Sequence, residues 1–320
     1  MQMRFDLDEQ QRDFAASIDA ALAAADVPGA VRAWAAGDTG PGRKVWARLA
    51  DLGVTALAVP ERFDGIDAHP VDLVVAFERL GRWCVPGPVA ESIAVAPLLL
   101  AEDERCAALA TGELVATVAI RPQVPRAVDA DAAGLVLAAE ADGWVSEAHV
   151  GERHESVDPS RHLFDADAVC EAWQADVARA YEFGALATAA QLVGAGQALL
   201  DAAVDYAKQR AQFGRVIGSY QAIKHKLADV HIALELARPL VYGAALSLAD
   251  RSPDTARDVS AAKASASDAA LLAARSALQT HGAIGFTAEH DLSLWLLRVQ
   301  ALRSAWGDPA THRRRVLEAL

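Results

Sequence analysis

Apolar positions recur at helical spacing through the first hundred residues, and each run stops at residues that end helices. Asp8 with Gln11 makes an acidic capping-box pattern, and Phe14, Ile18 and Leu22 follow along one face. Pro41 and Gly53 bracket a second helix as its opening and closing residues. A third is expected from Val71 to Arg82, closed by Pro86, Gly87 and Pro88, and the apolar segment Glu91 to Ala101 completes a helical unit over residues 1–111.

The pattern changes between about Gly112 and Glu171. LVATVAI and GLVLAAE are short β-prone runs separated by Pro122, Pro125 and a polar DADA stretch, and VSEAHV is a candidate third strand. A small β unit over residues 112–172 is the expectation. From Asp176 the helical spacing returns for residues 173–320. Ile223, Leu227, Val230, Leu234, Ala237, Val241, Ala244 and Leu248 alternate steps of four and three, the seam of a helix in an antiparallel bundle. Asp258 to Thr280 follows with small residues on most faces and an expected αL cap at Gly282. A last helix carries Leu292, Leu296 and Val299 toward Trp306. The fold class is therefore mainly α with a small β insert.

Composition narrows the function classes. Apolar residues make up 53% of the 320 and charged residues 23%, which is ordinary globular usage with an alanine bias that favours helices. The formal net charge of −13 argues against a nucleic-acid surface, since phosphate neutralisation needs a basic stripe. Arg313, Arg314 and Arg315 form a basic run near the end of the chain, where cations favour a helix C-terminus. The longest apolar runs, such as Ser92 to Ala101, fall short of the roughly 20 residues that cross a bilayer, and the acidic N-terminus does not read as a signal peptide. A cytoplasmic protein with no membrane partner is the expectation. Cys84, Cys106 and Cys170 are far apart, without a CxxC, and read as reduced core thiols. His225 and His231 are six residues apart and read as surface helix residues; no metal site is expected. No G-x-S-x-G or P-loop is present.

The chemistry concentrates between Tyr206 and Asp229, where YAKQRAQFGRVIGSYQAIKHKLAD joins two helical patterns. Arg210 offers a planar, permanently charged fork suited to a diphosphate, Phe213 a flat apolar wall, and Gln221 a donor and an acceptor. Taken alone, an arginine at the end of a helix is more often a solvated residue or a surface ion pair than a ligand.

Several segments in order resemble the acyl-CoA dehydrogenase family across nearly the whole chain. They are FDLDEQQRDF, DLGVTALAVPERFDG and LVVAFERLGR in the first unit, and YAKQRAQFG, IGSYQAIKHKLADV and QTHGAIGFTAEHDL in the last. The resemblance implies an N-terminal helical domain, a reduced middle β domain and a C-terminal four-helix bundle. It implies FAD as cofactor, an acyl-CoA substrate and an electron-transfer flavoprotein partner. By resemblance Arg210, Phe213, Ile217, Tyr220 and Gln221 reach the FAD held mainly by a neighbouring subunit, and Gln279, Gly282 and Gly285 lie in the loop at its ADP end.

The sequence also departs from the family. Most members carry the catalytic glutamate directly after an aromatic residue before the last helix; here Trp306 is followed by Gly307. Others place it on the first helix of the last unit, and that spacing from Phe213 leads to Gly184. Asp308 and Glu182 are the nearest acids, and two helical steps separate Glu182 from Gly184 by about 200° of rotation. No TEPGAGSD-like strand, the family's flavin-ring cradle, occurs near VAIRPQVPRAVD. These losses imply a half-site subunit resembling the short chain of α2β2 acyl-CoA dehydrogenases, many of them dedicated to steroid side-chain thioesters. Two alternatives stay open: a homo-oligomer with Asp308 or Glu182 as base, and a scaffold or binding protein of the same fold.

Overall fold

The structure is a computed structural model that describes residues 7–169 and 171–320. Phe5 and Asp6 of the first motif and the Cys170 thiol lie outside the described residues. Cys84 and Cys106 are buried and unpaired.

Among the described residues six α-helices form the first unit: α1 (Glu9–Ala23), α2 (Val27–Ala35), α3 (Gly40–Asp51), α4 (Pro70–Arg82), α5 (Ala96–Leu99) and α6 (Arg105–Ala110). The Asp8–Gln11 capping box forms in both directions, and Gly53 takes a φ of 76° one residue beyond the cap of α3. Helix α2 has no counterpart in the sequence reading. It begins with Pro28 inside its first turn and the Asp26 carboxylate capping Gly29 N–H, a start signal that its alanine-rich surroundings conceal. The Glu91 to Ala101 segment opens as a buried π-helical turn, Glu91–Val95, before α5. Such turns are rare and often mark functional positions.

Among its described residues the middle unit has six strands where three runs were legible: β1 (Ala116–Arg121), β2 (Ala127–Val128), β3 (Leu135–Glu140), β4 (Trp144–His154), β5 (Leu163–Ala168) and β6 (Trp173–Gln174). They pair in the order β1-β3-β4-β5-β2, with β6 against the start of β4; β1 and β3 are parallel and the other pairs antiparallel. β5 was missed because Asp165 and Asp167 break its apolar pattern.

The last unit holds α7 (Val177–Gln209), a tight hairpin of β7 (Ala211–Gln212) and β8 (Arg215–Val216), then α8 (Gln221–Ala249), α9 (Thr255–His281), α10 (Leu292–Ser304) and α11 (Pro309–Glu318). Asp176 caps α7, and Gly81 and Gly194 bring the α4 and α7 backbones together; a Cβ on Gly194 would sit 1.9 Å from the Glu78 carbonyl oxygen. The α8 seam is buried from Val230 onward, whereas Ile223 and Leu227 are half-buried at the corner end. Gly282 does end α9 with positive φ, 70°, but its ψ of −148° lies outside the expected αL region, in a conformation reserved for glycine.

The membrane expectation needs a correction. By length and hydropathy α7 and α8 could each cross a bilayer. The apolar window of α7 is 89% buried inside the protein, so its hydrophobicity is used in the bundle core, while that of α8 is only 39% buried. Ile232, Leu236 and Leu240 leave an exposed apolar stripe along α8.

Candidate functional site

At the corner, Arg210 ends α7, and the chain reverses through Phe213 and Gly214 at φ 52° and 81°. Positive φ at both central residues is what a two-residue hairpin matching the strand twist requires. Glycine adopts it without strain, whereas a bulky phenylalanine does not. Phe213 is nevertheless 92% exposed, so the chain bears both backbone strain and an unburied ring there. Arg210 and Gln221 are exposed, and Ile217 and Tyr220 half-buried. Arg215 lies 3.9 Å over the Tyr220 ring, and the Tyr220 hydroxyl donates to the Gln212 carbonyl.

The fold brings the Gln279–Gly285 loop to this corner. Tyr206, one turn before Arg210, stacks on His281 with ring centroids 4.3 Å apart, and Lys226 donates to the Gln279 side chain. His281 donates from Nδ1 to the Ala277 carbonyl, and His290 packs edge-on against it. Sequence reasoning passed over Tyr206, Lys226 and His281. Their signal was position alone: each lies within a turn or two of a named site residue on the same helix. Gly285 is buried against His281 and Leu292, while Gly282, Ile284 and Phe286 are exposed. Arg210 and Arg215 are exposed in this corner segment and no side chain caps the N-terminus of α8; guanidinium groups and free helix N–H groups are the donor types that bind a diphosphate, and Phe213 is exposed beside them in sequence.

The opposite end of the bundle is closed. Trp306 and Gly307 also take positive φ, 57° and 94°, yet Trp306 is 1% exposed. Its ring occupies the space in front of Gly184, where an added Cβ would fall 2.3 Å from a ring carbon. A Cβ on Gly307 would fall 2.6 Å from His312 Nε2 and 2.7 Å from the Tyr181 hydroxyl. That hydroxyl and His312 Nε2 both donate to the Trp306 carbonyl, at 3.1 and 2.8 Å, and Ser260 donates to His312 Nδ1. Burial pushes the His312 pKa down to about 4, so the ring is neutral. Lys263, fully buried, donates to the carbonyls of Leu302, Arg303 and Gly307 and fixes the turn from beneath.

Neither nearby acid is free. Asp308 is exposed and accepts from Thr311 N–H at 2.7 Å as the N-cap of α11; that hydrogen bond holds its carboxyl below the usual range. Glu182 is buried and accepts from Arg315; desolvation raises its pKa and Arg315 opposes the rise. The Trp306 indole N–H donates instead to Glu91, on the π-helical turn, at 3.0 Å. Glu91 was not singled out from the sequence, because nothing local distinguishes it from other helix-face acids.

Comparison with known proteins gives the wider assignment. The family model for the acyl-CoA dehydrogenase N-terminal domain matches residues 8–103, and that for the C-terminal domain matches residues 175–320. Acyl-CoA dehydrogenase IpdE2 of Mycolicibacterium smegmatis is 30% identical over 90% of this chain and 92% of its own length. The chain belongs to the acyl-CoA dehydrogenase family. It is thus a member of a family of FAD-dependent oxidoreductases. Acyl-CoA dehydrogenase FadE34 of Mycobacterium tuberculosis is 35% identical over 86% of this chain but only 42% of its own length. Among solved structures, the ChsE4-ChsE5 complex of Mycobacterium tuberculosis matches 99% of this chain and 98% of the compared chain with a TM-score of 0.85 at 21% identity. The Tcur3481-Tcur3483 steroid ACAD covers 97% of each chain with a TM-score of 0.84, again at 21%. At these identities the structures establish a shared fold.

Proposed function

We propose that this chain is a half-site subunit of an FAD-dependent acyl-CoA dehydrogenase: it completes the flavin site of a homologous partner chain that brings the catalytic base. The observation that carries this reading is the Trp306 ring filling the space in front of Gly184, while a side chain on Gly307 would strike His312 and Tyr181. Both family base positions are therefore glycine and also closed by packing. Asp308 and Glu182 are committed to a helix cap and an ion pair, which argues against the homo-oligomer that would use either as base.

At the other end Arg210, Arg215, Phe213 and Gln221 are exposed. In the proposed assembly Arg210 binds the partner flavin's diphosphate, Phe213 covers its apolar part, and the Gln279–Gly285 loop approaches the ADP end. When bound, the flavin supplies the acceptor for hydride from the β-carbon of the thioester. The exposed stripe of Ile232, Leu236 and Leu240 on α8 supports burial against a second chain. FadE34 supports the pairing as well, since a stretch like this chain accounts for 42% of its length and leaves room for a second unit. A steroid-type acyl-CoA thioester as substrate, an α2β2 assembly and an electron-transfer flavoprotein as electron acceptor complete the proposal; its support is the steroid ACAD and the ChsE4-ChsE5 complex among the relatives.

The test is to purify the chain alone and together with a base-bearing homologue. The reading expects flavin and acyl-CoA oxidation only in the complex. A full complement of FAD and turnover from the chain alone would sink it. A flavin-free complex would favour a scaffold instead.

A further inference from the structure

Ala127 and Val128 of β2 pair with Phe164 and Leu163 of β5, and the ladder runs one step further, to Asp129 opposite His162. Asp129 N–H donates to the His162 carbonyl at 2.6 Å, and His162 N–H donates back to Asp129 Oδ1 at 2.9 Å. Asp129 takes a φ of 51°, and the chain turns so sharply there that its carbonyl accepts from both Ala132 and Ala133 N–H. The same turn brings Asp131 Oδ2 to 3.0 Å from His162 Nδ1. One donor atom from each of Asp129, Asp131 and His162 thus lies within 4.8 Å of the other two. No spacing along the chain announces this set, since His162 is 31 positions from Asp131.

Two acids beside a histidine are not by themselves a site; burial is what calls for a ligand here. Asp129 is 0% exposed and His162 4%, and Asp129 Oδ2 and His162 Nε2 have no hydrogen-bond partner among the described residues. Buried polar atoms are rarely left so, and a buried carboxylate oxygen is among the costliest to leave. The Trp34 indole N–H faces Asp129, yet it too is without a partner, so no hydrogen bond closes between them. Arg161 attracts Asp129 through space, but that one guanidinium also faces Glu91, at 4.0 Å, and the two aspartates remain short of positive charge. We propose that Asp129, Asp131 and His162 bind a divalent transition-metal ion of the Zn²⁺ class, with water completing its coordination, and that the ion pins the turn after β2 to the start of β5. One imidazole with two carboxylates suits Zn²⁺ or Co²⁺, whereas Mg²⁺ and Ca²⁺ take oxygen ligands. Donors around a tetrahedral ion at bonds of about 2.0 to 2.2 Å stand roughly 3.4 Å apart, so the set has to close by about 1 Å. Asp131 is exposed on the turn and is the member free to move. The proposal does not rest on the half-site reading, because its readout needs neither flavin nor turnover.

The experiment uses the untagged full chain, in the assembly in which it purifies, stripped with EDTA and dialysed free of chelator. Zn²⁺ is titrated by calorimetry, and Co²⁺ is added separately for the visible absorption that an ordered nitrogen and oxygen ligand set produces. The wild-type chain should take up one Zn²⁺ per copy in the micromolar range or tighter, and millimolar Mg²⁺ should not compete. Asp131→Asn, a surface change that leaves the core untouched, should weaken Zn²⁺ binding at least about tenfold, or about 1.4 kcal/mol, and dim the Co²⁺ band. His162→Gln should do the same. Zn²⁺ should also raise the Tm of the wild-type chain and not that of Asp131→Asn. A wild-type chain that takes up no Zn²⁺ would overturn the proposal. Equal affinity in Asp131→Asn would overturn it too, by assigning the ion to other surface histidines, and this outcome decides the matter even when His162→Gln does not fold.

Discussion

Phe213-Gly214 and Trp306-Gly307 are the same local device, an aromatic residue and a glycine at paired positive φ, set at opposite ends of the bundle. Their surroundings differ completely: the first ring is 92% exposed and the second 1%. A strained aromatic turn is thus not by itself a site. At Trp306 the strain is offset by burial, by three polar contacts to the turn and by the filling of the space before Gly184. At Phe213 no burial among the described residues offsets it, which is why that turn is the better candidate for an external surface.

The largest effect that would break this contrast is at the closed end. Trp306→Ala should destabilise the chain by about 3 to 5 kcal/mol through loss of a buried ring and the void left behind, measured by urea unfolding. A loss below about 1 kcal/mol would mean the turn is not packed as described. At the open end Arg210→Ala should leave unfolding stability within about 0.5 kcal/mol of wild type and reduce flavin retention in the complex at least about tenfold. Equal flavin retention would remove Arg210 from the site.

The closed end should also respond to acid. His312 is held near pKa 4 by burial, against about 6.5 in the unfolded chain, so between those values the unfolded chain binds more protons. Stability from this group is fully present above about pH 6.5 and lost as pH falls toward 4, at no more than about 1.4 kcal/mol per pH unit. His312→Gln should flatten urea midpoints across that window; an unchanged slope would assign the loss to other groups. The smallest effect belongs to Phe213→Gly, which relieves backbone strain and should raise stability by roughly 0.5 to 1 kcal/mol after the added chain entropy. It should weaken flavin retention at the same time. A variant that gains neither stability nor a flavin defect would show the ring to be inert.

Much of this was legible along the chain. The Asp8 cap, the α8 seam from Val230 onward and the Phe-Gly break follow from short-range chemistry, and they recur where the pattern put them. The weaker signals failed for physical reasons: β5 carries acids on its exposed face, and α7 and α8 hide their total hydrophobicity because polar residues divide it into short runs. The absence of glutamate at Gly184 and Gly307 is likewise a property of the sequence alone. That Trp306 fills the space before Gly184 is not, since the Tyr181 and Trp306 contact spans 125 positions and depends on how α7, α10 and α11 dock. Neither is the approach of the Trp306 indole to Glu91, which spans 215 positions. Helix periods, caps and turns are decided by neighbours within a few residues, and the chain writes them directly. Which ring is buried and which stays exposed is decided by packing between distant segments, where shape and volume rule and local pattern is silent.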